Sequence, residues 1–431
     1  MKISNEVDRV VFTPVKKFKA PTPAIEKKKV EAPKDPVDKR VLAAKLKSLE
    51  SQKSDTGTNE AGRSGESSAP PATLTQQRPK VAVPALSPLL RPETLHTEKF
   101  LSVFEGQERD DWSKNLTFTP EYHPDKIDVP FPYPGDSNGR MEQNDVDVVE
   151  RGLRAKGGHA QARGVLENWL ALGEKYTALP GTNQLNDLGR AGMPRLSSLL
   201  LEEANRHEDP EFLQRSYQVI ADDHKHSWSD GYFKQSKNGL NRFCDVDYSH
   251  DATLEESGGA KNKARYDVDP MPFNPVDLNA HLYRTERDLQ SMALKMAVRT
   301  KDSSWTKKAK EWGDKASQRK ATILDKMWDE KSGLFHDVKV ADGNRSEVKT
   351  MASLAVLEAG LLDPKNPKEM AIAKRLASSA QQFLQPDGKA VWDRKADTPA
   401  ESRDLLGFAQ GLEKYGFKAE AQKLNNAAKL A

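Results

Sequence analysis

From about residue 143 to the end of the chain, apolar residues recur every three or four positions in stretches separated by turn signals. That spacing predicts amphipathic helices with one buried face. The windows are 143–155, 159–176, 193–207, 210–229, 276–299, 302–328, 347–360, 366–384, 400–414 and 417–430. The clearest is 276–299, where Leu278, Leu282, Leu289, Met292 and Met296 share a face. Asn274 or Asp277, beside Pro275, is expected to cap its start. Trp305, Trp312, Ile323, Met327 and Trp328 repeat the pattern between 302 and 328, and these tryptophans, with Trp228, are assigned to helix packing. Little in this region alternates with period two. One short exception is 334–340, after a turn at Gly333, expected to form a hairpin with Ala390, Val391 and Trp392. Helices of this size in succession fold back as antiparallel pairs. The expected class is all-α, with the pairs arranged as a complete or incomplete (α/α) toroid around a funnel whose loops carry function. A helical solenoid ranks lower, because no repeat of fixed period appears.

Upstream the pattern is lost. Residues 1–80 hold eight prolines and only two aromatics, Phe12 and Phe18. Such a segment buries too little apolar surface to offset its ordering entropy, so a disordered tail is expected. Residues 81–142 read as an irregular lead-in, with Pro130, Pro132 and Pro134 enforcing extended backbone or turns. The toroid is expected over 143–431. Charge is divided in the same way: 17 Lys/Arg against 10 Asp/Glu in residues 1–80, and 50 against 54 in the remainder. A mildly acidic body argues against a nucleic-acid-binding core. A single cysteine, Cys244, excludes an intrachain disulfide framework. No apolar run approaches a membrane span, and the N-terminus lacks the apolar stretch of a secretory signal. The expectation is a protein without a membrane partner, cytoplasmic or exported by a signal-independent route, with the basic tail as linker or export arm. The nine histidines show no metal-ligand spacing, and no phosphate-binding glycine loop occurs, so neither a metal nor a cofactor is expected.

Several phrases, in order, resemble landmarks of the trehalase family of glycoside hydrolases. Pro275-Val276-Asp277-Leu278-Asn279 matches best. Upstream stand Pro134-Gly135-Asp136-Ser137-Asn138-Gly139-Arg140-Met141, then Leu179-Pro180-Gly181-Thr182-Asn183 leading to Leu188-Gly189-Arg190, and Leu240-Asn241-Arg242-Phe243. Downstream stand Trp328-Asp329 with Gly333-Leu334-Phe335, then Val391-Trp392-Asp393, and Leu412-Glu413-Lys414-Tyr415-Gly416. The resemblance covers roughly 130–431. It implies an (α/α) toroid and inverting hydrolysis of α,α-trehalose or a related glucoside to glucose.

Inversion uses two carboxyl groups, one protonating the leaving oxygen and one activating water on the opposite face. The resemblance places the acid just before Pro275, in Arg265-Tyr266-Asp267-Val268-Asp269. Asp267 is the candidate and Asp269 its substitute. The resemblance places the base on a region well beyond Trp392-Asp393 that has no counterpart in this sequence, so either the base is missing or another acid replaces it, with Glu401, Asp404 and Glu255 as the substitutes. Arg140, Asn183, Arg190, Arg242, Trp392 and Asp393 are the expected sugar contacts, since Arg and Asn bridge vicinal hydroxyls and indole faces stack on pyranose rings. Other roles stay open: Arg242 as a loop brace, Trp392 as core, Asp267 and Asp269 as solvated loop acids. A monomer acting on a disaccharide or glucoside is expected. A carbohydrate-binding or interaction protein without turnover, of the kind an exported bacterial effector would be, is the alternative. Another α/α-toroid hydrolase, such as a glucoamylase relative, ranks third.

Overall fold

The computed structural model describes residues 127, 129, 131, 141–155, 157–184, 187, 189–229, 234–245 and 250–431. The tail 1–80, nearly all of the lead-in 81–142, and Arg140 lie outside the described residues.

Helix formation follows the periodicity. Val146–Ala155 (α1) and His159–Tyr176 (α2) come first, then Leu196–His207 (α3) and Pro210–Asp223 (α4). Two short helices, His250–Glu256 (α5) and Lys263–Tyr266 (α6), precede the long antiparallel pair Val276–Thr300 (α7) and Ser303–Lys326 (α8). A 3-10 turn, Met351–Leu354, leads into Ala355–Glu358 (α9), followed by Pro367–Ser379 (α10), Ser402–Lys414 (α11) and Lys418–Ala428 (α12). Several starts are capped as their sequences require. Asp209 and Asn366 each accept a first-turn N–H ahead of a proline at N1 or N2, and Asp302 accepts from Ser304.

Three sequence expectations need correction. The window 210–229 is α-helical only to Asp223 and continues as a π-helix over His224–Ser229. Neither Asn274 nor Asp277 caps α7. Pro275 is the N-cap, and the Val276 N–H donates at 2.9 Å to Asp337, sixty-one residues downstream. The short strands pair otherwise than expected. Gly333 takes φ +70°, which closes a tight reversal joining Trp328–Asp329 (β2) to Leu334–Phe335 (β3). Val338–Lys339 (β4) pairs with Phe273–Asn274 (β1), and Ala390 bridges to Leu384 instead.

Five helices alternate around a common axis: α1, α3, α7, α9 and α11 all contribute walls to one polar axial cavity. Their partners α2, α4, α8, α10 and α12 pack outside. The ring closes where Arg403 of α11 pairs with Asp145, just ahead of α1. This is the (α/α) toroid. Two apolar clusters fill the space between inner and outer helices. One is centred on Leu166, Trp169, Leu200 and Met292, the other on Val276, Leu357, Phe383, Phe408 and Leu412. At 25 cal/mol per Å² of apolar surface, each fully buried Leu or Phe contributes about 1.5–3 kcal/mol. The approach of α11 to α9 depends on Gly411. A Cβ there would stand 2.6 Å from the Glu358 backbone nitrogen.

Candidate active site in the axial funnel

The starts of α1, α3, α7 and α11 converge at one end of the ring, where Met193 and residues 256–258 form a rim. Within that rim a pocket is lined by Met193, Arg195, Lys261, Asp277, Trp392 and Asp404. Beyond Arg195 the axis opens into the second cavity, whose walls include Asp147, His281, Arg284, Glu358 and Lys414. Arg195 lines both.

Arg195 is the hub of the axis. Its Nε donates to His281 Nε2 at 3.1 Å, and its Nη2 lies 3.3 Å from Asp404 Oδ1 and 3.7 Å from Glu358 Oε2. Accepting that bond leaves His281 neutral at Nε2. Burial, reinforced by Arg195, pushes its pKa well below the usual histidine value. The two carboxyl groups diverge. Burial works to raise Asp404, but Lys261 and Arg195 overcome it and hold the carboxylate at about 2. Glu358 is raised, because burial and the nearby charges of Asp147 and Asp404 outweigh Arg195. Its Oε2 has no hydrogen-bond partner. One guanidinium thus separates an ionised carboxylate from a carboxyl group that favours its proton.

Most candidates from the sequence are placed by structure-building bonds. Asn183 is fully buried, and its Oδ1 accepts the Met141 N–H at 2.7 Å. Arg190 joins Asp187, Asp245 and Glu255 at the rim. Arg242 donates to the Met271 carbonyl at 2.9 Å. Trp392 is buried in the pocket wall, stacked on Phe408, with its indole N–H on Asn262. Asp393 is buried and accepts two backbone N–H groups, from Lys395 and Ala396. Asp269 accepts from the Met271 N–H. Asp267, in a left-handed turn at φ +50°, is 81% exposed and pairs with Lys395. It lines a separate outer groove and not the axial pocket. Among the proposed replacement bases, Asp404 reaches the pocket.

The sequence reading missed Arg195, His281 and Glu358. His281 and Glu358 lie mid-helix or at a helix end, with no local motif. A signal did exist, because each is a polar residue on the apolar face of its helix.

The phrases that resembled the family are largely brackets. Arg265, buried between α6 and α7, forks both Asp277 and Asp337 with four hydrogen bonds of 2.7–2.9 Å. Arg319 of α8 does the same for the sheet-like loop: its Nη1 reaches the Asn241 and Asn279 side-chain oxygens at 2.9 and 3.0 Å, and its Nη2 reaches Glu286. Among the described residues, no group of three or more His, Cys, Asp or Glu could hold a metal ion, and no helix is long and apolar enough to cross a membrane.

Comparison with known proteins agrees with this architecture. A family model for trehalase matches residues 245–426. The cytosolic neutral trehalase of Saccharomyces cerevisiae is 29% identical over 66% of this chain and 37% of its own length. That of Beauveria bassiana is 22% identical over 69% of this chain and 49% of its own. The chain spans between about a quarter and a half of the curated relatives it matches. In fold, it is similar to neutral trehalase Nth1 from S. cerevisiae, with a TM-score of 0.58 at 18% identity over 67% of this chain and 64% of that one. It is also similar to a mannosylglycerate hydrolase of Thermus thermophilus, with a TM-score of 0.50 at 16% identity over 77% and 90%. Over residues 245–426 the chain is thus similar to the trehalase family of glycoside hydrolases, and its fold is the (α/α) toroid of the solved neighbours.

Proposed function

We propose that the protein is a trehalase-like glycosidase that hydrolyses α,α-trehalose or a related glucoside with inversion at the anomeric carbon. The observation that carries this reading is the meeting of Asp404 and Glu358 at Arg195 on the axis of a family-like toroid. An inverting pair needs one carboxyl group that holds a proton and one that does not. Glu358, raised by burial, protonates the leaving glycosidic oxygen. Asp404, held ionised, takes a proton from the attacking water. Both touch the same Arg195 nitrogen, so their oxygens stand no more than about 7 Å apart, the two contacts laid end to end. Arg195 supplies donors for sugar hydroxyls, and the Trp392 wall supplies an apolar face. Asp267 and Asp269 remain the rival acid candidates, outside the axial pocket.

The test is glucose release from trehalose and a panel of α-glucosides, with the first-released anomer followed by NMR. Glu358→Gln and Asp404→Asn should each lower the rate by roughly 10²–10⁴-fold, the usual worth of a positioned acid or base. Their circular dichroism spectra should match the parent's. Loss on Asp267→Asn but not on Glu358→Gln would move the acid to Asp267, outside the axial pocket. Trehalose bound without cleavage would overturn hydrolysis in favour of carbohydrate binding alone.

A further inference from the structure

A second groove, of about 660 Å³, lies outside the axial pocket. Two backbone connections build it. In the first, Phe273 of β1 stands directly opposite Lys339 of β4, so their side chains share one face of the ladder. In the second, Thr350 bridges Asp393, and the Arg394 N–H donates to the Lys349 carbonyl at 3.0 Å. Lys349 and Arg394 are thereby carried on adjoining, tied segments. Lys395 completes a set of four surface cations, a fifth, the buried Arg265, being held by Asp277 and Asp337, and Asp267 and Glu347 add two carboxylates.

The charges are not balanced internally. Lys395 is engaged by Asp267 and Arg394 by Asp397. Lys339 and Lys349 are exposed and have no ion-pair partner among the described residues. Two uncommitted ammonium groups beside two more cations match one compact dianion. A phosphate monoester carries about −1.5 to −2 charges at neutral pH. The remaining wall matches a sugar. The Phe273 ring offers an apolar face to a pyranose ring, and the Asp267 and Glu347 carboxylates accept from hydroxyl groups. A continuous polyanion suits the groove less well, since those two carboxylates would face its backbone charges.

We propose that this groove is a binding site for a phosphorylated monosaccharide unit, with Lys339 and Lys349 on the phosphate and Phe273, Asp267 and Glu347 on the sugar. The site is separate from Asp404 and Glu358, so it stands whether or not the axial pocket hydrolyses glycosides.

Titration calorimetry on the full chain at low salt tests it, with glucose 6-phosphate, glucose and inorganic phosphate as probes. Glucose 6-phosphate should bind at least tenfold more tightly than either other probe, because only it uses both halves of the groove. Lys339→Ala with Lys349→Ala, both exposed, should weaken it at least tenfold, and so should raising salt to 0.5 M. Phe273→Ala should weaken glucose 6-phosphate while leaving inorganic phosphate unchanged. Asp404→Asn should leave glucose 6-phosphate affinity unchanged. Equal affinity for glucose and its phosphate, or for inorganic phosphate and glucose 6-phosphate, would overturn the proposal. So would indifference to the double lysine variant, or loss of binding on Asp404→Asn, which would put the ligand in the axial pocket.

Discussion

Arg265 shows how much one side chain can fix. It is fully buried, and both acids it forks are buried as well. Burial lowers a guanidinium's pKa, yet Asp277 and Asp337 reverse this and carry Arg265 well above the usual value. Arg265→Met would leave two carboxylates without their counter-charge, a loss of about 3–5 kcal/mol for a broken buried pair. Chemical denaturation should show a clear fall in midpoint, or the variant should fail to accumulate. Histidines set a pH dependence. Burial lowers His224 and His281, Glu286 partly offsetting it at His224 and Arg195 adding to it at His281. The unfolded chain takes up protons near pH 6.5 that the folded chain refuses. Their contribution to stability is therefore present above about pH 6.5 and lost as pH falls below it. Glu358, raised, acts in the opposite sense nearer its own range. Thermal midpoints should drop between pH 7 and pH 5, and His281→Gln should flatten the slope. Little of this could be read in advance. The phrase around Asp277 was visible, but its partners lie 12 residues before and 60 after it, and a linear sequence does not state which charges meet.

At the scale of elements the sequence was more legible, because amphipathic spacing is a local property. α1, α2, α3, α7, α8, α11 and α12 fall within three residues of their windows. α5 and α6 were missed, being too short to show a period. The strand pairing was misassigned because two-residue strands carry no alternation from which register can be read. Caps were legible where Asp or Asn stood directly before a proline-led helix. Asn366→Ala should therefore cost about 1 kcal/mol, the usual worth of an N-cap, measurable in urea. Gly411→Ala belongs at this scale too. The new methyl group must push α11 away from Glu358, with overpacking of about 1–3 kcal/mol, and it should also disturb the position of the Glu358 carboxyl. A stability loss accompanied by lost activity would be the expected pairing.

For the whole molecule, the succession of helix pairs announced a toroid, and the order of family-like phrases narrowed it. What stayed hidden was how the ring closes and what stands at its centre. Arg403 reaches Asp145 across more than 250 residues of chain, and no periodicity foretells such a contact. Arg403→Ala should leave the outer helices intact while speeding hydrogen exchange in α1 and α11, where the ring's two ends meet.

Arg195 has a wider consequence. A hollow of stacked helices could serve as a conduit, open from face to face. Here a planar cation stands where the two hollows meet, in contact with Asp404, Glu358 and His281. A sugar that is to lie between the two carboxyl groups has to thread past that guanidinium, so the reach of the side chain at 195 sets what the bore admits.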